Sequence, residues 1–354
     1  MNHARSQRIV MDGNGSYLGM SKGCFILRDR KGNEEKYPLF ENQIKEVVLQ
    51  SGNSISTGAL ASLGFWDVDV LVMTAKGRPV AVMKGLDDDS HVKTRLCQYE
   101  AYNGEKGLEI AKQLVLGKLQ GQNVLLGKYG FETHDMTKFK HGVSSIKTKE
   151  LDTLRGKLMQ IEGTATKSYF GQLFELIPEN IRPDRRKSWK AYDGVNNLFN
   201  LGYEMLQWKV HRACLKAKLE PFLGFLHSVQ YGKPSLVCDL EELYRYLVDD
   251  FVFDYVQGLK PSDFMTKTVE ASKSRKGKRE YLKDAKTREM LRGLQDYFDN
   301  KIEVPLIRYG KRQRIETLIN EEALLLAKYI RNEKREWRPR EVNYPDRRTK
   351  INST

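Results

Sequence analysis

The sequence predicts an α+β protein: a small N-terminal β domain, residues 1–85, followed by a larger all-α C-terminal domain, residues 86–354. Three observations carry this. In the first 85 residues, short apolar runs alternate with glycine-rich turn signals, as strands do. After Leu86-Asp-Asp-Asp-Ser90 the apolar spacing lengthens to the helical period. At 354 residues the chain also exceeds the usual size of one domain.

The strands are read at Arg8–Met11, Tyr17–Met20, Cys24–Leu27, Lys36–Phe40 and Ile44–Leu49, punctuated by Gly13, Gly15, Gly19, Gly32 and Gly52. A short helix fits Ser56–Phe65. Val68–Met73 and Pro79–Met83 flank Ala75-Lys-Gly-Arg78, a hairpin signal. Amphipathic helices follow at Val92–Tyr102, Leu108–Leu119, Lys149–Ile177, Gly194–Ala217, Leu236–Val256, Tyr281–Asn300 and Thr317–Ile330. Residues 127–147 are polar and lack a clear period, so they read as a connection. Pro183-Asp-Arg-Arg-Lys187 reads as a loop. A basic loop, 266–280, and a basic C-terminal tail from Arg331 complete the larger domain. Such runs are usually solvated and often mobile.

Composition narrows the function. The formal net charge of +14 favours a polyanionic partner, and nucleic acid is the commonest. Cys24, Cys97, Cys214 and Cys238 form no paired clip, which argues against a zinc ribbon and for free thiols in a reducing compartment. The N-terminus has no apolar signal-peptide core, and no run approaches the ~18 apolar residues of a membrane span. A cytoplasmic protein with no membrane partner is expected. Gly13-Asn-Gly-Ser-Tyr-Leu-Gly19 has the wrong spacing for a dinucleotide fingerprint and reads as a glycine-rich hairpin. The absence of a GxxxxGK[ST] loop disfavours a Walker-type ATPase.

Four residues suggest a metal. His227 precedes the turn at Tyr231-Gly232-Lys233-Pro234, and Asp239 and Glu242 follow at an i, i+3 spacing that places both on one helical face. Glu162 falls on the apolar stripe of Leu154, Leu158, Ala165 and Tyr169, where an unpaired carboxylate costs several kcal/mol. One imidazole with carboxylates suits a hard divalent ion, Mn²⁺ or Mg²⁺. The plainer alternatives are a Glu162 paired to Arg or Lys, a structural histidine, and solvated helix carboxylates; Glu241 reads as one of the last. Arg245 continues the edge and either binds phosphate or pairs with Glu241 or Glu242. In the run Lys273-Ser-Arg-Lys-Gly-Lys-Arg279, the residues Lys273, Arg275, Lys276, Lys278 and Arg279 read as phosphate contacts.

Several blocks together resemble the CRISPR-associated spacer-acquisition integrase, the first numbered Cas protein family. They are Met11–Gly19, Thr94-Arg-Leu-Cys-Gln-Tyr-Glu-Ala101, Ile161-Glu-Gly-Thr-Ala165, Asn196–Leu206, and Gly224-Phe-Leu-His227 with Pro234–Glu242. The resemblance implies that Glu162, His227 and Glu242 bind one Mn²⁺ or Mg²⁺, with Asp239 beside them, and that Arg245 lies near DNA; Arg95, within a shared block, and Lys233 are read as further DNA contacts. It implies a homodimer formed through the β domain and a complex with the second Cas protein. It also implies that 3′-hydroxyl ends of captured DNA are joined to repeat boundaries by transesterification, on double-stranded and branched DNA. A general metal-dependent nuclease for branched DNA and a non-catalytic basic scaffold are the rival readings.

Overall fold

The computed structural model describes residues 7–38, 44–66, 68–75, 79–83, 92–188, 192–272, 275–299, 301–303 and 312–341. The chain divides into two compact units, residues 1–90 and 91–354, each with its own apolar core.

Unit one holds two four-stranded sheets. In the first, β1 (Gln7–Met11), β5 (Ile44–Gln50), β7 (Asp69–Met73) and β8 (Pro79–Met83) lie in that order. The expected hairpin is present, with Val70 opposite Met83. β1, β5 and β7 pair in parallel, which the strand reading did not anticipate. In the second, β4 (Glu34–Pro38), β3 (Cys24–Arg28), β2 (Tyr17–Ser21) and the short β6 (Ser54–Ile55) lie side by side. Helix α1 (Thr57–Phe65) starts where the Ser56 hydroxyl accepts from the Ala59 N–H at 3.1 Å. It buries Ala59 and Leu63 against Ile9, Leu18, Phe25 and Val47.

Unit two is helical in bulk: α2 (Val92–Tyr102), α3 (Glu105–Tyr129), α4 (His134–Ser145), α5 (Leu151–Leu173), α6 (Gly194–Lys216), α7 (Ser235–Glu241), α8 (Arg245–Tyr255), α9 (Asp284–Asp299) and α10 (Ile315–Ile330). The α+β class stands, but this unit is not all-α. An antiparallel ribbon of β9 (Phe264–Ser272) and β10 (Arg275–Leu282) occupies the segment read as a basic loop, and β11 (Lys301–Glu303) pairs with β12 (Arg312–Arg314). The expected connection at 127–147 contains α4, which buries Met136 and Val143. The predicted helix 236–256 is broken between α7 and α8. The tail is docked through residue 341: Trp337 is buried and its Nε1–H donates to Glu322 Oε1 at 2.6 Å. Among the described residues no helix is long and apolar enough to cross a membrane.

Candidate active site

Three helices converge on the Lys118 ammonium. Helix α3 is anchored in the core, with Ile110, Leu114, Leu119, Leu125 and Leu126 fully buried. Each such leucine contributes roughly 1.5–3 kcal/mol of burial free energy. Gly121 lets α8 come close: a Cβ there would stand 2.3 Å from Tyr246 Cδ1. The approach sets Lys118, one turn earlier on α3, against Glu242, the residue that caps α7. Lys118 Nζ lies 2.6 Å from Glu242 Oε2 and donates to Glu162 Oε1 on α5. Arg245 Nη1 lies 2.7 Å from Glu242 Oε1, and its Nε donates to Glu241 Oε1 at 3.0 Å. The guanidinium also stands over the Tyr203 ring, 4.7 Å from its centroid.

His227 belongs to a second cluster, built around Asp239. The Asp239 carboxylate is fully buried and accepts from the backbone N–H groups of Phe225, Leu226 (2.9 Å) and His227 (2.8 Å). Its Oδ1 also lies 2.8 Å from His227 Nδ1. An ionised carboxylate only accepts, so Nδ1 donates to Asp239 and Nε2 is the nitrogen left for another partner. The Arg155 guanidinium holds the same loop by donating to Phe225 O and Gly224 O, both at 2.9 Å. Residue 224 must be glycine, because a Cβ would meet Asp239 Oδ2 at 2.9 Å and the Ser235 backbone at 2.7 Å. Gln98 clamps the loop from α2: its amide donates to Glu220 O and Leu223 O, and its Oε1 accepts from Glu220 N.

Burial alone would raise the Glu242 carboxyl, but Arg245, Lys118 and the nearby His227 outweigh it and hold it down to about 2. Glu241 is pushed upward by burial, against the pull of Arg245. Lys118, Glu162, Glu242, Arg245, Tyr203 and Asp249 share the wall of a cavity of about 940 Å³. The Pro183–Arg186 loop forms part of the same wall.

The predicted residues therefore fall into groups. Glu162 and Glu242 meet across Lys118, whereas Asp239 and Glu242 do not share a face. Helix α7 ends at Glu241, so Asp239 turns to the 225–227 loop and Glu242 to α3. Glu162 is a half-buried residue paired to lysine, at the edge of its apolar stripe. Glu241 is not a solvated charge but a buried partner of Arg245. Among the described residues, no three His, Cys, Asp or Glu side chains gather closely enough to hold a metal as they stand. The donor chemistry nevertheless suits one: two carboxylates and an oriented imidazole. Glu242 Oε2 is buried and faces the Lys118 ammonium at 2.6 Å. Arg95 sits on α2 and Lys233 in the turn pairing with Gln230; neither joins this cluster. On the ribbon Lys278 is exposed and Arg279 stands over the Tyr192 ring, while Lys273 and the side chains of Arg275 and Lys276 lie outside the described residues. Lys118, Arg155 and Gln98 were not singled out from sequence, although a lysine and Gln122 inside the buried stripe of α3 were a readable signal.

The family model "CRISPR associated protein Cas1" matches residues 9–287. A curated relative from Pyrobaculum aerophilum, named CRISPR-associated endonuclease Cas1 2, is 34% identical over 262 residues, covering 72% of this chain and 84% of that protein. The fold superposes on a casposase bound to integration product with a TM-score of 0.75 at 20% identity, covering 98% and 99% of the two chains. It also superposes on a chain of a Cas6-RT-Cas1–Cas2 complex, with a TM-score of 0.71 at 18% identity, covering 96% of this chain and 36% of that one. The chain belongs to the Cas1 family of CRISPR-associated proteins.

Proposed function

We propose that this protein is a metal-dependent DNA endonuclease and integrase of CRISPR adaptation, joining 3′-hydroxyl ends of captured DNA to repeat boundaries. The observation that carries the reading is the pair of carboxylates, Glu162 and Glu242, held to one cationic centre on the wall of a cavity. The names of curated relatives support the endonuclease activity, and the casposase with its integration product supports strand joining. The complex containing Cas2 supports the second Cas protein as partner. A homodimer through the β unit completes the proposed assembly.

In the reaction, a 3′-hydroxyl attacks a phosphodiester. One P–O bond forms as another breaks; the hydroxyl gives up its proton and the departing 3′-oxygen gains one. Bond types are conserved, so no nucleotide hydrolysis is required. A divalent ion held by Glu162, His227 and Glu242 would supply Lewis acidity to the phosphoryl oxygens. Asp239 fixes the His227 ring, which leaves Nε2 to bind a ligand or take a proton. Arg245, on the cavity wall, offers positive charge towards phosphate while Glu241 and Glu242 anchor its guanidinium. Water in place of the hydroxyl gives hydrolysis at the same site.

A strand-transfer assay tests this, with Mn²⁺, a 3′-hydroxyl duplex and a supercoiled plasmid. Joined product is expected from the wild type and a loss of at least about a hundredfold from Glu162→Ala or His227→Ala, with DNA affinity retained. Activity surviving in Glu162→Ala would place the chemistry elsewhere.

A further inference from the structure

We propose that Lys118 is a tethered counter-cation: its ammonium neutralises Glu162 and Glu242 in the metal-free protein and gives way when a divalent ion enters between them. The inference rests on the metal-site reading above and concerns what this chain does towards that ion.

Lys118 Nζ already touches one oxygen of each carboxylate, the position a cation bridging them would need. A magnesium or manganese ion binds such oxygens at about 2.0–2.2 Å and cannot share that point with an ammonium. Lys118 is the sole described cation that contacts both residues; Arg245 reaches Glu242 alone among them. Without Lys118, two buried or half-buried carboxylates would face each other with only one compensating charge, which is costly in a low-dielectric site. The lysine is enclosed, so it is not a solvent-screened surface pair. Its ammonium sits on a flexible four-carbon stem at the edge of the cavity, into which it can withdraw.

Competition between the two cations has a thermodynamic signature. Removing the internal one should weaken the metal-free fold and tighten metal binding. A lysine with only a packing role would move the first quantity and not the second.

The experiment measures thermal unfolding and Mn²⁺ titration calorimetry on full-length wild type, Lys118→Met and Glu162→Gln, with the double variant Lys118→Met/Glu162→Gln. Lys118→Met should melt lower without metal, recover most of the loss at saturating Mn²⁺, and bind Mn²⁺ about tenfold more tightly than wild type. Should Lys118→Met alone fail to fold, the double variant, relieved of one carboxylate, should fold and bind Mn²⁺ more tightly than Glu162→Gln. Equal or weaker Mn²⁺ affinity on loss of Lys118, in a wild type whose binding depends on Glu162, would overturn the role of Lys118 alone. No Mn²⁺-induced shift in the wild type would overturn the metal site itself, and this inference with it.

Discussion

Asp249 sits on the wall of the cavity and is fully enclosed, yet its hydrogen-bond partners are two tyrosines rather than a cation. Tyr169 donates to Oδ2 at 2.8 Å and Tyr203 to Oδ1. Burial pushes its carboxyl up, and the tyrosine hydrogen bonds with Arg186 and Arg245 pull it partly back, leaving it at about 6 rather than 3.8. The native state therefore holds a proton that the unfolded chain has already lost, and stability falls as pH rises between about 4 and 6. Asp249→Asn removes that titration. The unfolding free energy of the variant relative to wild type should rise across the window, by on the order of 2–3 kcal/mol, in urea melts at about pH 4 and pH 6.5. Parallel pH profiles would mean that Asp249 is ionised throughout. The same residue-scale logic explains what the sequence could reveal. A carboxylate beside Leu158 and Ala165 stands out from its stripe, so Glu162 was legible. The burial of Glu241 was not, because helical periodicity gives a direction and does not tell whether that face is enclosed, although its pairing with Arg245 was among the alternatives.

Elements with their own local signals were readable. The short helix read at Ser56–Phe65 is α1, and two apolar runs about a short turn announced the β7–β8 hairpin. Those fixed by tertiary partners were not. The apolar period runs unbroken from Leu236 to Phe251, whereas the chain breaks at residues 242–244, where Glu242 meets Lys118 and Leu243 packs over Gly117. The β9–β10 ribbon was hidden by its charges. A two-stranded ribbon buries little, so its faces tolerate lysine and arginine that a core strand would not. It is anchored at its base: Phe264 and Leu282 are buried, the N–H of Glu280 donates to Tyr192 O at 2.8 Å, and Asn197 Nδ2 donates to Glu280 O at 2.7 Å. A strut fixed at the base and basic beyond it suits phosphate binding. Replacing Lys276, Lys278 and Arg279 with glutamine should weaken duplex DNA binding. It should also flatten log K against log salt by about one unit for each phosphate that is no longer neutralised. Fluorescence anisotropy across a salt range of about 50–200 mM reads both effects. An unchanged slope would return the ribbon to solvent.

At the scale of the whole chain, the +14 charge and the site chemistry have separate consequences. Charge steers a polyanion to the surface and sets a salt-dependent affinity, but it places no reacting atom. Placement comes from residues confined to unit two: Lys118, Glu162, His227, Asp239, Glu242 and Arg245 all lie within 91–354 and are held by α2, α3, α5, α7 and α8. Unit one contributes none of these side chains and closes its own core around Ile9, Leu18, Phe25 and Val47. Metal binding and strand joining should therefore separate on truncation. A chain comprising residues 91–354 should keep a Mn²⁺-induced rise in melting temperature that Glu162→Gln reduces, because every proposed ligand is present. The same truncation should lose strand transfer if the β unit pairs two chains. Loss of the Mn²⁺ response in a truncated chain that still melts cooperatively would mean that unit one supports the ligand geometry; full strand transfer without residues 1–90 would exclude that unit from the assembly the reaction needs.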